Sequence, residues 1–320
     1  MDILSSLGHM FLIECQIGAG GSGAVFRAWH PRLNKHVVVK EVKHSPSDSI
    51  GTRRNEVEAL KNIKNAYLPQ VLDFLTEGDR AYTVMEYIEG ESFDKLLRRT
   101  RSFDLYRTAK WYGQLASALE AIHEQDVCHR DVKPANIMLT PRGDVCLIDF
   151  SAAFVRGNRT HFISHSMGYA SPEQYGAYRR MERAMNERRE QTGPDCVFRR
   201  DPDTEFAGRP DLTEFTECES TDGCIAPGIS DPVPYQIDWK RSDIYSLGAT
   251  MYHLLTGKRP SPGEEDVLIP ELERHNGHLA YIIEKSMRHN PSKRFGSASA
   301  LSRELRAFAM HDTHYGCNGR

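Results

Sequence analysis

Three polar side chains close together in the chain have the types and spacing to carry out a reaction. Asp131, Lys133 and Asn136 place a carboxylate, an ammonium and an amide within six residues of the string His129-Arg-Asp-Val-Lys-Pro-Ala-Asn136. A carboxylate can orient a hydroxyl and accept its proton, an ammonium can neutralise a moving phosphoryl group, and an amide oxygen can bind a metal ion. The combination is typical of phosphoryl transfer and is not needed in an ordinary polar loop.

A second carboxylate follows in the string Asp149-Phe150-Ser151, directly after the predicted strand Val145–Ile148. An Asp at the end of a strand is often only a turn residue. Its position after Asn136 favours instead a role in binding Mg²⁺ that bridges phosphates.

A glycine-rich string near the start of the chain fits phosphate binding. Gly18, Gly20, Gly23 and Val25 match the pattern G-x-G-x-x-G-x-V. Glycines let a backbone close over phosphates and present N–H groups to them. Alone, the pattern also fits a dinucleotide-binding fingerprint or a glycine-rich hairpin without a ligand. The predicted strand 24–29 follows the glycines at the place where a dinucleotide-binding fold needs a helix, which argues against the dinucleotide-binding fingerprint.

Lys40 ends the apolar run Val37-Val38-Val39-Lys40, one strand after the glycines. A lysine on an apolar strand is usually an edge or snorkelling residue. After a phosphate loop it can instead reach the α- and β-phosphates, and it then needs a carboxylate to hold it. Glu56, on the next predicted helix, is our first choice for this partner, and Glu58 is the second.

The first ninety residues read as strands plus one helix. Alternation of apolar residues predicts a half-buried strand from Phe11 to Ile17. Further strands are predicted at 24–29, 36–42 and 82–87, and a helix at 55–64.

From residue 91 the pattern becomes mainly helical, with short strands predicted at 137–139 and 145–148. Three apolar stripes at helical spacing predict long helices. Their members are Trp111, Leu115, Leu119 and Ile122; Ile244, Leu247, Met251, Leu254 and Leu255; and Leu279, Ile282, Ile283 and Met287.

Residues 176–236 differ from the rest of the chain. Residues 179–190 are rich in Arg and Glu and predict a helix, whereas the remainder is rich in Pro, Gly, Asp and Thr. We interpret the segment as a long surface insertion.

The composition is that of a globular protein, with 320 residues, 39% hydrophobic residues and a net charge of -3. The small charge gives no reason to expect nucleic acid or a membrane surface as partner. Residues 1–10 do not resemble a signal peptide, and no apolar run approaches the ~18 residues of a membrane span. Seven cysteines at irregular spacing indicate reduced thiols and a cytoplasmic location, and Cys218 and Cys224 lack the second pair that a zinc site needs.

Taken together, the motifs resemble those of eukaryotic-type Ser/Thr protein kinases of the kind found in bacteria, over about residues 11 to 310 apart from the insertion. Gly168-Tyr-Ala-Ser-Pro-Glu173 resembles the end of the activation segment. Ser242-Asp243 resembles the start of the central helix, where Asp243 would brace the catalytic loop. Asn290-Pro-Ser-Lys-Arg294 resembles the segment whose Arg pairs with the activation-segment Glu, here Glu173.

The resemblance implies an α+β, bilobal fold with ATP in the cleft. A small antiparallel β-sheet lobe with one helix would span 1–88, a larger, mainly α-helical lobe 89–313 with the insertion at about 176–236, and a tail 314–320. Asp131 would be the catalytic base, assisted by Lys133, Lys40 and Glu56, and Asn136 and Asp149 would hold Mg²⁺, with Mn²⁺ as an alternative. The nucleotide would contact Gly18, Gly20, Gly23, Val25, Val38, Lys40, the gatekeeper Met85, and the hinge residues Glu86, Tyr87 and Ile88.

Three positions depart from the family pattern: Ser151 and Ser171 replace a usual Gly and Ala, and Val38 replaces the usual Ala above the adenine. A pseudokinase that only binds ATP would normally lack Lys40, Asp131 or Asp149, and a small-molecule phosphotransferase on a related fold would lack the Ser-Pro-Glu string and the late Arg. The resemblance therefore favours an active kinase with protein substrates, and it is compatible with a dimer that autophosphorylates in trans.

The resemblance also implies activation by phosphorylation between Asp149 and Gly168, because Arg130 precedes the catalytic Asp and often receives such a phosphate in this family. Thr160, Ser164 and Ser166 are the available acceptors. Ser166 occupies the place of a Thr that usually contacts the catalytic loop, so Thr160 and Ser164 are the better candidates.

Overall fold

The computed structural model describes residues 10–20, 23–42, 57–77, 80–156, 165–192, 237–261, 273 and 276–315. They form two compact units. One unit contains the described residues up to Lys61 and Gln70–Tyr87, together with residues 180–192. The other contains Asn62–Pro69, Ile88–Arg179 and the described residues from 237 onward. Glu56, Thr160, Ser164 and residues 193–236 of the predicted insertion lie outside the described residues.

The first unit is built on a five-stranded antiparallel sheet of order β1-β2-β3-β5-β4. The strands are β1 Leu12–Gly20, β2 Gly23–His30, β3 Lys35–Val42, β4 Val71–Glu77 and β5 Arg80–Glu86. Residues 57–61 are helical, within the predicted helix 55–64. The strand β4 is not among the predicted strands. A bulge between Val71 and Asp73 interrupts the alternation of its side chains between the two faces of the sheet.

The predicted alternation of β1 is wrong beyond its first residues. Phe11 is buried, but Cys15 is exposed and Ile17 is 47% exposed. Bulges lie between Ile13 and Cys15 and between Gln16 and Gly18. Each bulge inserts an extra residue and shifts the side chains that follow to the other face, so a strict period of two cannot hold.

The core of the sheet fixes which side chains face away from it. Val37 and Val39 of β3 are fully buried among Phe11, Ala28, Tyr82 and Val84. Because successive side chains on a strand point to opposite faces, Val38 and Lys40 belong to the other face of the sheet. Lys40 pairs with Val25 of β2 on that face, which brings two of the predicted nucleotide-binding residues side by side.

Six longer helices lie in the part of the chain that the structure describes: α1 Phe93–Thr100, α2 Leu105–Glu124, α3 Pro172–Thr192, α4 Trp239–Thr256, α5 Gly277–Ser286 and α6 Ala298–Tyr315. Short strands accompany them: β6 Glu91–Ser92, β7 Val127–Cys128, β8 Ile137–Leu139, β9 Val145–Leu147 and β10 Phe154–Val155. They form one sheet of order β6-β8-β9 and a second of order β10-β7. The three predicted stripes are confirmed as the buried faces of α2, α4 and α5.

The helix α4 is the centre of the second unit, since every residue from Ser242 to Tyr252 is buried. It packs against α2 and α5. Gly248 permits the approach of α5, because a Cβ at this position would lie 2.8 Å from the Cβ of Ser286. The Asp238 side chain caps the helix by accepting the N–H of Arg241, and Gly257, at φ 73°, ends it.

Two further predictions concern a helix in the insertion and membrane-spanning segments. The helix predicted at 179–190 is confirmed as part of α3. Over the part of the chain that the structure describes, no helix is both long and apolar enough to cross a membrane.

Candidate functional site

Asp131 lies in the loop between β7 and a 3₁₀ turn at Pro134–Asn136. Its Oδ1 accepts a hydrogen bond from the Ser166 hydroxyl at 2.7 Å. Its Oδ2 accepts from Asn136 Nδ2 at 2.9 Å and lies 3.0 Å from Lys133 Nζ. Lys133 Nζ also donates to Ser166 Oγ at 3.0 Å, so Asp131, Lys133 and Ser166 form a closed polar cluster, to which Asn136 is joined through Asp131.

The orientation of the Asn136 amide leaves its oxygen turned away from Asp131. Asn136 Nδ2 donates both to Asp131 Oδ2 and to the Asp131 main-chain oxygen, each at 2.9 Å. Carboxylate and carbonyl oxygens only accept, so the nitrogen must be the atom that faces them. The oxygen is therefore available to bind a cation. The Asn136 carbonyl also accepts the N–H of Ile148 at 2.8 Å, which ties this turn to the residue before Asp149.

Asp149 is held in a left-handed backbone conformation, with φ 67°. Its Oδ1 accepts the N–H of Ser151 at 3.1 Å and also the Ser151 hydroxyl. A glycine at position 151 would offer no hydroxyl, so this departure from the family pattern gives the Asp149 carboxylate an additional contact. Non-glycine residues with positive φ are kept at functional sites only where neighbouring contacts hold them.

Asp243, on α4, braces the loop as predicted. It is fully buried, its Oδ1 accepts the N–H of Arg130 at 2.7 Å, and its Oδ2 accepts the N–H of His129 at 2.8 Å. His123 Nε2 lies 2.8 Å from the same Oδ2. The loop that carries Asp131 is thereby fixed to the central helix of its unit.

His123, Cys128 and Asp243 offer ligand atoms within 4.8 Å of one another, and all three are buried. Burial, reinforced by the charge of Asp243, raises the pKa of the Cys128 thiol far above its usual range, so the thiol stays protonated. Both carboxylate oxygens of Asp243 already accept main-chain N–H groups. We therefore interpret the group as a hydrogen-bonded brace and not as a metal site.

The end of the predicted activation segment is fixed by three further hydrogen bonds. The N–H groups of Tyr169 and Ala170 both donate to the Ser166 carbonyl, at 3.0 and 2.9 Å. The Tyr169 hydroxyl lies 2.6 Å from His253 Nδ1. Burial, with a smaller contribution from the charge of Arg259, lowers the pKa of His253 to about 4.

Sequence reasoning gave no role to Gln174. It is 1% exposed, and its Nε2 donates to the Arg130 carbonyl at 2.8 Å. Gln174 directly follows Glu173 in the chain, but the family resemblance assigned a role only to Glu173 and none to Gln174. The sequence does not show that this Gln is buried, and it is the burial that requires its amide to find hydrogen-bond partners.

The predicted phosphate loop corresponds to the hairpin of β1 and β2, in which Gly18 pairs with Val25 and Gly20 with Gly23. Residues 21 and 22 lie outside the described residues. Gly23 has φ 115°, and a Cβ there would lie 2.1 Å from the Glu41 carbonyl oxygen. Only glycine fits this position, which explains one glycine of the pattern on steric grounds alone.

The predicted hinge begins at the end of β5. Met85 pairs with Val38 of β3, so the predicted gatekeeper and adenine-roof residues are neighbours in the sheet. The N–H of Glu86 donates to the Gln70 carbonyl at 2.9 Å. Because that N–H already donates to Gln70, it is not expected to bind adenine. The predicted hydrogen bonds to adenine are left to the other main-chain groups of residues 86–88.

The carboxylate partner of Lys40 is a prediction that the structure does not test. Glu56 lies outside the described residues. The second choice, Glu58, contacts Lys61 Nζ at 3.1 Å, and Lys61 also contacts Asp73. Lys40 is 9% exposed.

Comparison with known proteins identifies the family. Residues 11–185, more than half of the chain, match the protein kinase domain. The chain belongs to the protein kinase family. Membership implies the use of ATP and of a divalent metal ion.

Similar proteins come from several bacteria. A probable serine/threonine-protein kinase of Clostridium acetobutylicum is 32% identical over 319 residues, which is 93% of this chain and 40% of that protein. A second, of Clostridium perfringens, is 26% identical over 93% of this chain and 38% of its own length. A serine/threonine-protein kinase of Myxococcus xanthus is 26% identical over 94% of this chain and 50% of its own length. The chain thus spans half or less of the length of these relatives.

Proposed function

We propose that this chain transfers the γ-phosphoryl group of ATP to Ser or Thr hydroxyls of proteins. The cluster around Asp131 carries the proposal, because it holds an ammonium and an amide against one carboxylate. The kinase family of the chain and the names of its bacterial relatives support the same activity.

Asp131 acts as the catalytic base in this proposal. Its two oxygens accept hydrogen bonds from Ser166 and Asn136, and a carboxylate offers about four acceptor sites, so acceptor capacity remains for a substrate hydroxyl. The carboxylate orients that hydroxyl for in-line attack and takes its proton as the new P–O bond forms. Lys133, beside the same carboxylate, neutralises charge on the transferred phosphoryl group.

Asn136 and Asp149 would hold the divalent ion, Mg²⁺ or alternatively Mn²⁺. The donor chemistry fits, because an amide oxygen turned away from Asp131 and a carboxylate are the hard oxygen ligands that these ions prefer. When bound, the ion would neutralise phosphate charge on ATP.

The nucleotide-binding residues are assigned on the resemblance and on their positions in the sheet. Gly18, Gly20 and Gly23 would cover the phosphates, and Lys40 would contact the α- and β-phosphates with Glu56 as its partner. Val25 and Val38 would pack on the adenine, and Met85, Glu86, Tyr87 and Ile88 would line its edge. We retain 1–88 and 89–313 as the two lobes and 314–320 as a tail.

Two regulatory proposals concern residues outside the described ranges. Ser166 already contacts Asp131 and Lys133, so Thr160 and Ser164 remain the candidates for activating phosphorylation. The acidic part of the insertion, within 211–231, would dock basic protein substrates. Phosphopeptide mass spectrometry tests the first, and replacing 192–231 by a short Gly/Ser linker tests the second.

The experiment that tests the main proposal supplies the purified chain with Mg²⁺ and γ-labelled ATP, a generic basic protein and a set of small-molecule acceptors. Label on Ser or Thr of the protein, lost in Asp131→Asn, is the expected result. Binding of ATP without any transfer would instead identify a pseudokinase. Label only on a small molecule would overturn the assignment of proteins as substrate.

A further inference from the structure

We propose that Gln174 is a positioning residue that sets the orientation of Asp131 through the backbone carbonyl of Arg130. The inference rests on the proposed kinase activity, because it concerns the residue that would accept the substrate proton. Gln174 lies at the start of α3, 44 residues along the chain from Arg130, and the two are joined by a hydrogen bond of 2.8 Å.

The conformation of Arg130 needs external support. Its φ is 63°, in the left-handed region that is unfavourable for a residue with a Cβ. Arg130 is 4% exposed, so its carbonyl has little access to water. The amide of Gln174, 1% exposed, supplies a hydrogen bond to that carbonyl where solvent cannot.

The Gln174 amide is itself held in one orientation by a directed chain of hydrogen bonds. The Arg130 carbonyl only accepts, so Gln174 Nε2 faces it and Oε1 faces the other way. Ser242 donates to Gln174 Oε1 at 3.3 Å, which uses the Ser242 proton. Ser171 must then donate to Ser242 Oγ, 2.8 Å away, while it accepts the Gln174 N–H at 3.2 Å.

The side chains of Ser171, Gln174 and Ser242, which form this series of hydrogen bonds, are all buried. Ser171 is essential to it, because the alanine usual at this position in the family has no hydroxyl. The departure at Ser171 and the presence of Gln174 therefore belong to one arrangement.

Gln174 and Asp243 fix the two peptide planes on either side of the Arg130 Cα. Asp243 accepts the N–H of Arg130, which belongs to the peptide that joins it to His129. Gln174 donates to the carbonyl of Arg130, which belongs to the peptide that joins it to Asp131. The second plane sets the direction in which Asp131 leaves the backbone, and hence where its carboxylate points. Gln174 thereby acts on the reaction without touching ATP or the acceptor.

The test compares two substitutions of Gln174 that nearly keep its side-chain volume with a substitution of Ser171 and a control. Gln174→Met removes the donor and is expected to lower kcat about tenfold, which corresponds to ~1.4 kcal/mol, with KM for ATP nearly unchanged. Gln174→Glu keeps the shape but presents a carboxylate to the Arg130 carbonyl, so it is expected to lower kcat further. Ser171→Ala keeps the bond to Arg130 and is expected to lower kcat less than Gln174→Met. Glu182→Ala, at an exposed position of α3, is the control.

A second comparison separates positioning from general stability. In the Asp131→Asn background, Gln174→Met is expected to cause little further loss of kcat, because both changes act through the same carboxylate. Thermal unfolding and ATP binding of each variant show whether it is folded. Equal kcat for the wild type and Gln174→Met would overturn the inference, as would full additivity with Asp131→Asn.

The remaining outcomes also decide the question. If no Gln174 variant folds, Gln174 is needed for folding and the positioning role is overturned. Wild-type protein that binds ATP but transfers nothing would overturn the proposed function, and the inference would fall with it. If the wild-type protein is active and the Gln174 variants have the same kcat, the inference is overturned but the proposed function stands.

Discussion

Arg294 binds the carboxylate of Glu173 through two hydrogen bonds, from Nη1 to Oε1 at 2.6 Å and from Nη2 to Oε2 at 2.8 Å. The two residues are 121 positions apart in the chain, and the Arg294 side chain is fully buried. Its guanidinium also donates to the main-chain oxygens of Arg241, Arg288 and His289. The pair joins the start of α3 to the segment that precedes α6.

Glu173→Ala is expected to lower the free energy of unfolding by about 3–5 kcal/mol, because it leaves a buried guanidinium without its counter-charge. Urea denaturation measures the loss. Asp94→Ala is the matched control, since it removes the exposed Arg98–Asp94 pair of α1 and should change stability by about 0–1 kcal/mol. Similar losses in the two variants would contradict the prediction.

Asp131→Asn is expected to reduce turnover by at least ~10²-fold while ATP affinity stays near that of the wild type. The carboxylate orients the hydroxyl and accepts its proton, and in our proposal it does not hold ATP. Asp126→Asn, which changes an acid paired with Lys240, controls for the loss of charge. Turnover of the Asp131 variant close to the wild-type value would remove Asp131 from its assigned role.

Asp149→Asn is expected to reduce activity in a way that depends on the metal, because it replaces a carboxylate ligand by a neutral amide. Raising the Mg²⁺ concentration or supplying Mn²⁺ should restore part of the rate. Lys40→Met should also reduce activity, by removing a phosphate contact, but without that dependence on metal. Rates are compared across a metal titration, and full activity in both variants would exclude the kinase assignment.

Ser166→Ala is expected to lower kcat about tenfold, since the hydroxyl donates to Asp131 and accepts from Lys133. Ser166→Thr keeps the hydroxyl and should retain most of the activity. Steady-state rates with the two variants side by side give the measurement. Equal losses in both would show that bulk at this position matters and the hydroxyl does not.

His253→Gln is expected to reduce the loss of stability of the folded protein between about pH 6.5 and pH 4. The pKa of His253 is lowered from 6.5 to about 4, chiefly by burial. The unfolded chain thus takes up this proton at a higher pH than the folded protein, so stability is full above pH 6.5 and falls as the pH approaches 4. Gln does not titrate and can still accept from Tyr169. Melting temperatures across this range should fall less in the variant, and parallel curves for the two proteins would refute the assignment.

The sequence itself determined the chemistry of the Asp131 loop and the positions of most helices and strands along the chain. Asp131, Lys133 and Asn136 lie within six residues, so their meeting in space required only a tight local turn. The buried stripes of α2 and α5 followed from a period of 3.6 residues, which any amphipathic helix must show. The stripe predicted for α4 is also buried, but it is only part of a helix that is buried on every side from Ser242 to Tyr252. The helix α6 carries the same signal in Leu301, Leu305 and Phe308, although we did not predict it.

The tertiary structure alone decided what holds that loop. The bulges of β1 interrupt the alternation of its side chains, and a bulge depends on the partner strand as well as on the strand itself. The bond that Gln174 donates to Arg130 joins residues 44 positions apart, and the bonds that His129 and Arg130 donate to Asp243 span more than 110 positions. Local periodicity carries no information about such pairs. They arise because packing α3 and α4 beside the loop buries main-chain polar groups, which must then find hydrogen-bond partners from distant parts of the chain.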